Sequence, residues 1–137
     1  MQLLHSSQYA IRILSYIANH HDKSLYSAKE LSIVLDIPYK FLTKIMVDLV
    51  NAEFIISIRG RDGGYKLKRL ASEITVMEII NSFNEFINNE ECILGIGKCD
   101  GKHKCSMHDK WVEPKELIHK MFEDTTLENL DGENFKL

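Results

Sequence analysis

The chain has 137 residues and a formal net charge of -3, long enough for one domain with its own core, or for a small domain with an appended dimerisation element. Its apolar runs span only a few residues, well short of the roughly 20 that cross a bilayer, so no membrane partner is expected. Three cysteines cannot all pair within one chain and no leader pattern opens the sequence, which argues against a disulfide scaffold and for a reducing cytoplasm.

The charge is uneven. Residues 1–36 carry three charges of each sign, residues 37–69 carry seven basic against three acidic, and residues 70–137 carry seven basic against fourteen acidic. A basic middle suits a protein that turns one face toward phosphate.

Ala10, Ile13, Leu14, Ile17 and Ala18 recur at helical spacing, which predicts a first helix from about Ser7 to Asn19 capped by Ser6 or Ser7. Ser27-Ala28-Lys29-Glu30 is a capping-box sequence ahead of Leu31, Val34 and Leu35, and it predicts a short second helix. Pro38 then opens a third helix with a buried stripe of Phe41, Leu42, Ile45, Met46 and Leu49. The opposite face shows Tyr39, Lys40, Thr43 and Lys44, side chains that reach phosphates and base edges. Two short helices joined by a turn, the second with such a face, form a helix-turn-helix.

Ile55–Arg59 is rich in β-branched residues and Gly64–Lys68 alternates, so the two predict a β-hairpin whose tip carries Arg59 and Arg61. A winged helix places cations along a DNA backbone or in a narrow minor groove in this way. Thr75-Val76-Met77-Glu78 repeats the capping-box pattern and starts a helix with Val76, Ile79, Ile80, Phe83, Phe86 and Ile87 as apolar positions.

Every cysteine lies in the loop that follows. Cys92, Cys99 and Cys105, with His108 three residues beyond Cys105, put three thiols and an imidazole among Gly95, Gly97, Asp100 and Gly101, a polar setting with no apolar stripe for a cysteine to join. Soft donors of this kind favour iron-sulfur clusters, zinc or copper. Beyond the loop, Trp111, Leu117, Ile118, Met121 and Phe122 mark an amphipathic helix, regular from near Glu113 because of Pro114, with an apolar face broad enough to mate with its copy in a homodimer. Thr125–Leu130 adds a short apolar clip.

These residues carry a resemblance to a family. The chain resembles, nearly end to end, the bacterial Rrf-two-type winged-helix transcription regulators, the group of IscR-like and NsrR-like iron-sulfur proteins. Ile37-Pro38 before the recognition helix and Ser57-x-Arg59-Gly60-x2-Gly63-Gly64-Tyr65-x-Leu67 in the wing match most specifically, joined by the cysteine triplet and Thr126-Leu127. The resemblance implies a mainly α fold with a small β-hairpin wing. Residues 1–87 would form the winged helix-turn-helix domain, 88–108 the cluster-binding loop, and 109–137 the dimerisation helix and clip. It also implies a homodimer on a pseudo-palindromic operator in double-stranded DNA, with Cys92, Cys99 and Cys105 as cluster thiolates and His108 as fourth ligand. Six residues separate Cys92 from Cys99 where five are usual in the family, and Gln8 stands where NsrR-like members have an acidic ligand from the partner subunit. A neutral amide is the poorer iron ligand, which favours [2Fe-2S] and leaves [4Fe-4S] as the alternative.

Zinc in a three-cysteine, one-histidine site is a rival, although zinc knuckles use cysteines two to four apart. A cofactor-free thiol switch is another, with Lys98, Lys102 and Lys104 near the thiols, and a winged helix serving only protein interaction is a third. No nucleophile setting and no phosphate-cradling glycine loop is present, so no enzyme is expected.

Overall fold

The computed structural model describes residues 2–20, 22–84 and 90–130. Within them the chain runs α1 (His5–Asn19), α2 (Ala28–Leu35), α3 (Tyr39–Asn51), β1 (Ile55–Ile58), β2 (Gly64–Leu67), a 3-10 turn at Ala71–Glu73, α4 (Val76–Ser82), α5 (His108–Asp124) and a second 3-10 turn at Leu127–Asn129.

All five apolar positions expected in α1 are buried. The helix begins at His5 with Leu4 as N-cap and no side-chain cap, so neither Ser6 nor Ser7 plays that role. Ser7 stands three and seven residues before Ala10 and Leu14, on the same helical face, and is therefore fully buried inside the helix. In α2 the Ser27 hydroxyl accepts the Glu30 N–H at 3.1 Å, while the Glu30 carboxylate accepts from Lys23. Asp36 closes α2 in the left-handed conformation, φ 51°, and the Ile37 N–H reaches back to the Ser32 carbonyl at 3.1 Å. This 6→1 bond reverses the chain tightly. The Arg12 guanidinium donates to the Leu35 carbonyl, fixing α1 against the same turn.

Leu42, Ile45, Met46 and Leu49 face the core from α3. Phe41, expected in that stripe, is 55% exposed. One position is about 100° of helical rotation, enough to carry its ring past the edge of the core. β1 and β2 pair antiparallel, Ile55 opposite Leu67 and Ile58 opposite Gly64. Gly63 closes the turn with its N–H on the Gly60 carbonyl at 3.1 Å, and a Cβ there would lie 2.1 Å from the Ile58 oxygen, so only glycine fits. Tyr26 exchanges backbone hydrogen bonds with Tyr65 at 3.0 and 2.8 Å and donates its hydroxyl to the His20 carbonyl and the Asp22 carboxylate. Burial, then the Asp22 hydrogen bond, pushes the Tyr26 phenol up to about 12.

Thr75 caps α4 by accepting the Glu78 N–H at 3.1 Å, and Val76, Met77, Ile79 and Ile80 are buried. The expected apolar positions Phe86 and Ile87 lie outside the described residues. α5 starts at His108, earlier than expected from Pro114, and runs through that proline. Losing one backbone N–H bond costs less than breaking the stripe His108, Trp111, Lys115, Ile118 and Phe122, whose members are all buried or half-buried on a helix that packs against α4. The chain then returns to the first half. The Val76 N–H donates to the Thr125 carbonyl at 2.8 Å, the Leu127 N–H to Ile74 at 3.0 Å and the Asn19 amide to Leu130 at 2.6 Å, with Leu127 fully buried in the core. No helix among the described residues is long and apolar enough to cross a membrane.

Candidate functional site

The cysteine loop is built on a miniature hairpin. The Cys99 N–H donates to the Glu90 carbonyl at 2.6 Å, the Cys92 N–H to Gly97 at 3.1 Å and the Gly95 N–H to Cys92 at 2.8 Å, with a bridge between Glu91 and Lys98. Gly95 and Gly97, φ 70° and 66°, supply the left-handed backbone this turn needs. The Asp100 carboxylate then accepts the Lys102 and His103 N–H groups at 2.9 and 3.3 Å, which holds its carboxyl below the usual range. His108 opens α5 with its N–H on the Cys105 carbonyl at 3.1 Å.

This backbone brings two of the four expected donors together. The Cys99 sulfur lies 3.3 Å from His108 Nδ1. Cys92 is 7% exposed. The Leu94 N–H, then Cys105 and the Ile96 N–H, hold the Cys92 thiol below the usual cysteine range, and the Lys115 charge adds to them. Among the described residues, no three His, Cys, Asp or Glu side chains gather round one point as a single ion requires. Three thiols and an imidazole, with amide donors on one sulfur, nevertheless fit the donor set and outer hydrogen bonds of an iron-sulfur centre. Gln8 does not face this loop within its own chain: its amide donates to the Leu3 carbonyl at 2.5 Å.

On α3, Tyr39, Lys40 and Lys44 are exposed and Thr43 is half-buried, its hydroxyl donating to the Lys40 carbonyl at 3.0 Å. Arg59 and Arg61 are exposed at the hairpin tip. Two of the seven cations between residues 37 and 69 are taken up elsewhere, Lys68 by Glu53 at 2.7 Å and Arg69 by Glu78. Lys40, Lys44, Arg59, Arg61 and Lys66 form no ion pair among the described residues, and they are the cations carried by α3 and the wing.

The five apolar positions expected at a dimer interface divide into two groups. Trp111, Ile118 and Phe122 are half-buried on the stripe that includes His108, whereas Leu117 and Met121 are 62% and 52% exposed. Lys115 went unnoticed in the sequence reading. It is 7% exposed and its charge acts on Cys92. A lysine seven residues after His108, on the apolar stripe of α5, was the available signal.

Three helices with a paired hairpin, followed by a cysteine loop and a long helix clipped back to the start, define a winged-helix regulator with an appended loop and helix. The Rrf2 family model, described as an iron-dependent transcriptional regulator, matches residues 3–132. The chain belongs to the Rrf2 family of transcriptional regulators, and it is not an enzyme. It is 34% identical over 133 residues to the HTH-type regulator NsrR of Oceanobacillus iheyensis, covering 95% of this chain and 89% of that one. With IscR of Vibrio atlanticus it shares 29% over 134 residues, covering 98% and 77%. CymR (YrzC), the global cysteine regulator of B. subtilis, has the same fold, with TM-score 0.80 at 23% identity and 95% of each chain covered.

Proposed function

We propose that this chain is a homodimeric DNA-binding regulator whose Cys92, Cys99, Cys105 and His108 hold a [2Fe-2S] cluster that sets its affinity for a pseudo-palindromic operator. The observation that carries the reading is the Cys99 sulfur 3.3 Å from His108 Nδ1, in the loop that also holds Cys92 and Cys105. A two-iron centre takes two protein ligands on each iron, whereas a mononuclear zinc site needs four round one point. When bound, such a cluster supplies a centre that changes charge on reduction and is lost to oxidants, iron scarcity or nitric oxide.

The chain's own residues connect that centre to DNA. His108 belongs to both the donor set and the first turn of α5. The far end of α5 is joined through Thr125 and Leu127 to the residues that open α4. A change in how the loop holds His108 therefore acts on a helix fixed at its other end, and shifts α5 against α4. Leu117 and Met121, exposed on that helix, offer the surface for a second copy, so the same shift re-spaces two recognition helices. Tyr39, Lys40, Thr43 and Lys44 read the major groove, and Arg59 and Arg61 hold the flanking backbone or minor groove.

Selection from random duplexes with cluster-loaded and with metal-free protein tests this function. One inverted repeat should be enriched, with different recovery in the two states and affinity that falls steeply with salt. Failure to enrich any inverted repeat in either state overturns the DNA reading, and equal recovery in both states overturns control by the cluster.

A further inference from the structure

We infer that Thr43 and Val47 form an apolar strip on α3 that reads the 5-methyl groups of thymines in the operator. The inference rests on the DNA reading above and names which part of a base the helix recognises. Val47 is 57% exposed, a large apolar side chain left in solvent on an otherwise well-packed helix. It follows Thr43 by four residues, so the two stand on one face of α3, about 6 Å apart along its axis. Lys40 and Lys44 lie on the same side of the helix, are exposed and form no ion pair among the described residues. Protein interfaces are depleted of charge at their centres, whereas a surface that meets DNA needs cations for its phosphates. An apolar strip flanked by two unpaired lysines fits the second kind of partner.

The chemistry Thr43 can offer is limited by its own helix. Its hydroxyl donates to the Lys40 carbonyl at 3.0 Å, and a hydroxyl has one proton to give. No donor is left for guanine O6 or N7 or for thymine O4, so the group Thr43 adds to a major groove is its methyl. Val47 has methyl groups alone. Among the base edges of the major groove, the apolar group on display is the thymine methyl. The spacing of about 6 Å spans roughly two base steps of about 3.4 Å, so each side chain can cover a methyl of its own within one half-site.

The Thr43 oxygen can also accept a hydrogen bond from an adenine or cytosine amino group, and the variants are chosen to separate the two chemistries. The test uses the full chain and the inverted repeat recovered by selection, resynthesised with deoxyuridine in place of one thymine at a time in both half-sites. Deoxyuridine lacks the methyl and keeps every hydrogen-bonding group. Fluorescence anisotropy at fixed salt should show the wild type losing affinity about fourfold for each methyl removed, at one thymine facing Thr43 and one facing Val47. Thr43→Ser, which discards the methyl and keeps the hydroxyl, should be indifferent to deoxyuridine at the first position. Thr43→Val, which keeps methyl groups and discards the hydroxyl, should bind the thymine operator within about twofold of wild type. Val47→Ala should be indifferent at the second position. Full affinity for every deoxyuridine operator overturns the inference, and so does a Thr43→Val protein that loses binding while Thr43→Ser keeps its response to deoxyuridine. Either result leaves DNA binding standing, whereas recovery of no inverted repeat overturns the DNA reading and this inference with it.

Discussion

The winged-helix half and the cysteine loop are built on opposite principles. In the first, Leu42, Met46 and Leu49 of α3 meet Leu14 of α1, Leu31 of α2, Phe54 and Ile79 in one cluster of almost fully buried side chains. Burial of each such side chain contributes about 1.5–3 kcal/mol. In the loop, Ile93 and Leu94 are each 48% exposed and Ile96 67%, and the shape comes from local hydrogen bonds, glycine turns and an Asx-type turn at Asp100. The comparison teaches where the two halves spend their chemistry. The first buries apolar surface to hold α3 and the wing in place, and the second leaves apolar surface exposed while setting the Cys99 sulfur against His108.

The largest effect that sharpens this contrast is a core truncation. Leu49→Ala removes a fully buried side chain and should cost about 2–5 kcal/mol in urea unfolding. The cations come next. Arg59→Ala or Lys44→Ala should weaken operator binding and reduce the slope of log affinity against log salt by about one. Lys68→Ala should leave that slope nearly unchanged, because Lys68 is engaged with Glu53. Equal slopes in the three variants would break the division between paired and unpaired cations.

Tyr26 gives a smaller, pH-dependent effect. Its phenol is raised from 10.0 to about 12 in the folded protein, so the folded state keeps a proton that the unfolded state has lost. The associated stability is complete below about pH 10 and declines as pH rises through about 12. Tyr26→Phe should remove that alkaline slope in chemical unfolding and, by losing the hydroxyl bonds to His20 and Asp22, cost about 1 kcal/mol at neutral pH. The smallest effect belongs to the loop: Ile96→Ser, at a position 67% exposed, should change stability by no more than about 0.5 kcal/mol. A cost near that of Leu49→Ala would show that the loop has a core of its own.

Much of the first half was legible in the sequence because burial there follows helical and strand periods. The stripes of α1, α3 and α4, the two capping threonine and serine residues and the hairpin are where the residue types place them. Phe41 misled because an apolar residue at the edge of a stripe reads like a member of it. Pro114 misled because a single lost hydrogen bond is a local cost, whereas the stripe from His108 to Phe122 is collective. In the loop the donor types were legible and their grouping was not. Which cysteine meets which partner depends on backbone bonds such as Glu90–Cys99, and main-chain atoms leave no mark in residue type. The taking up of Lys68 and Arg69 by Glu53 and Glu78 was hidden for a related reason, since those pairs join positions 15 and 9 residues apart.

The most direct measurement of the central claim is anaerobic reconstitution with iron and sulfide followed by native mass spectrometry of the wild type and of Cys92→Ala, Cys99→Ala, Cys105→Ala and His108→Ala. The account predicts two irons and two sulfides per wild-type chain and loss of that mass in each cysteine variant. His108→Ala should shed its cluster faster than the wild type, since one of its irons keeps a single protein ligand. A full cluster retained in all three cysteine variants would contradict the account.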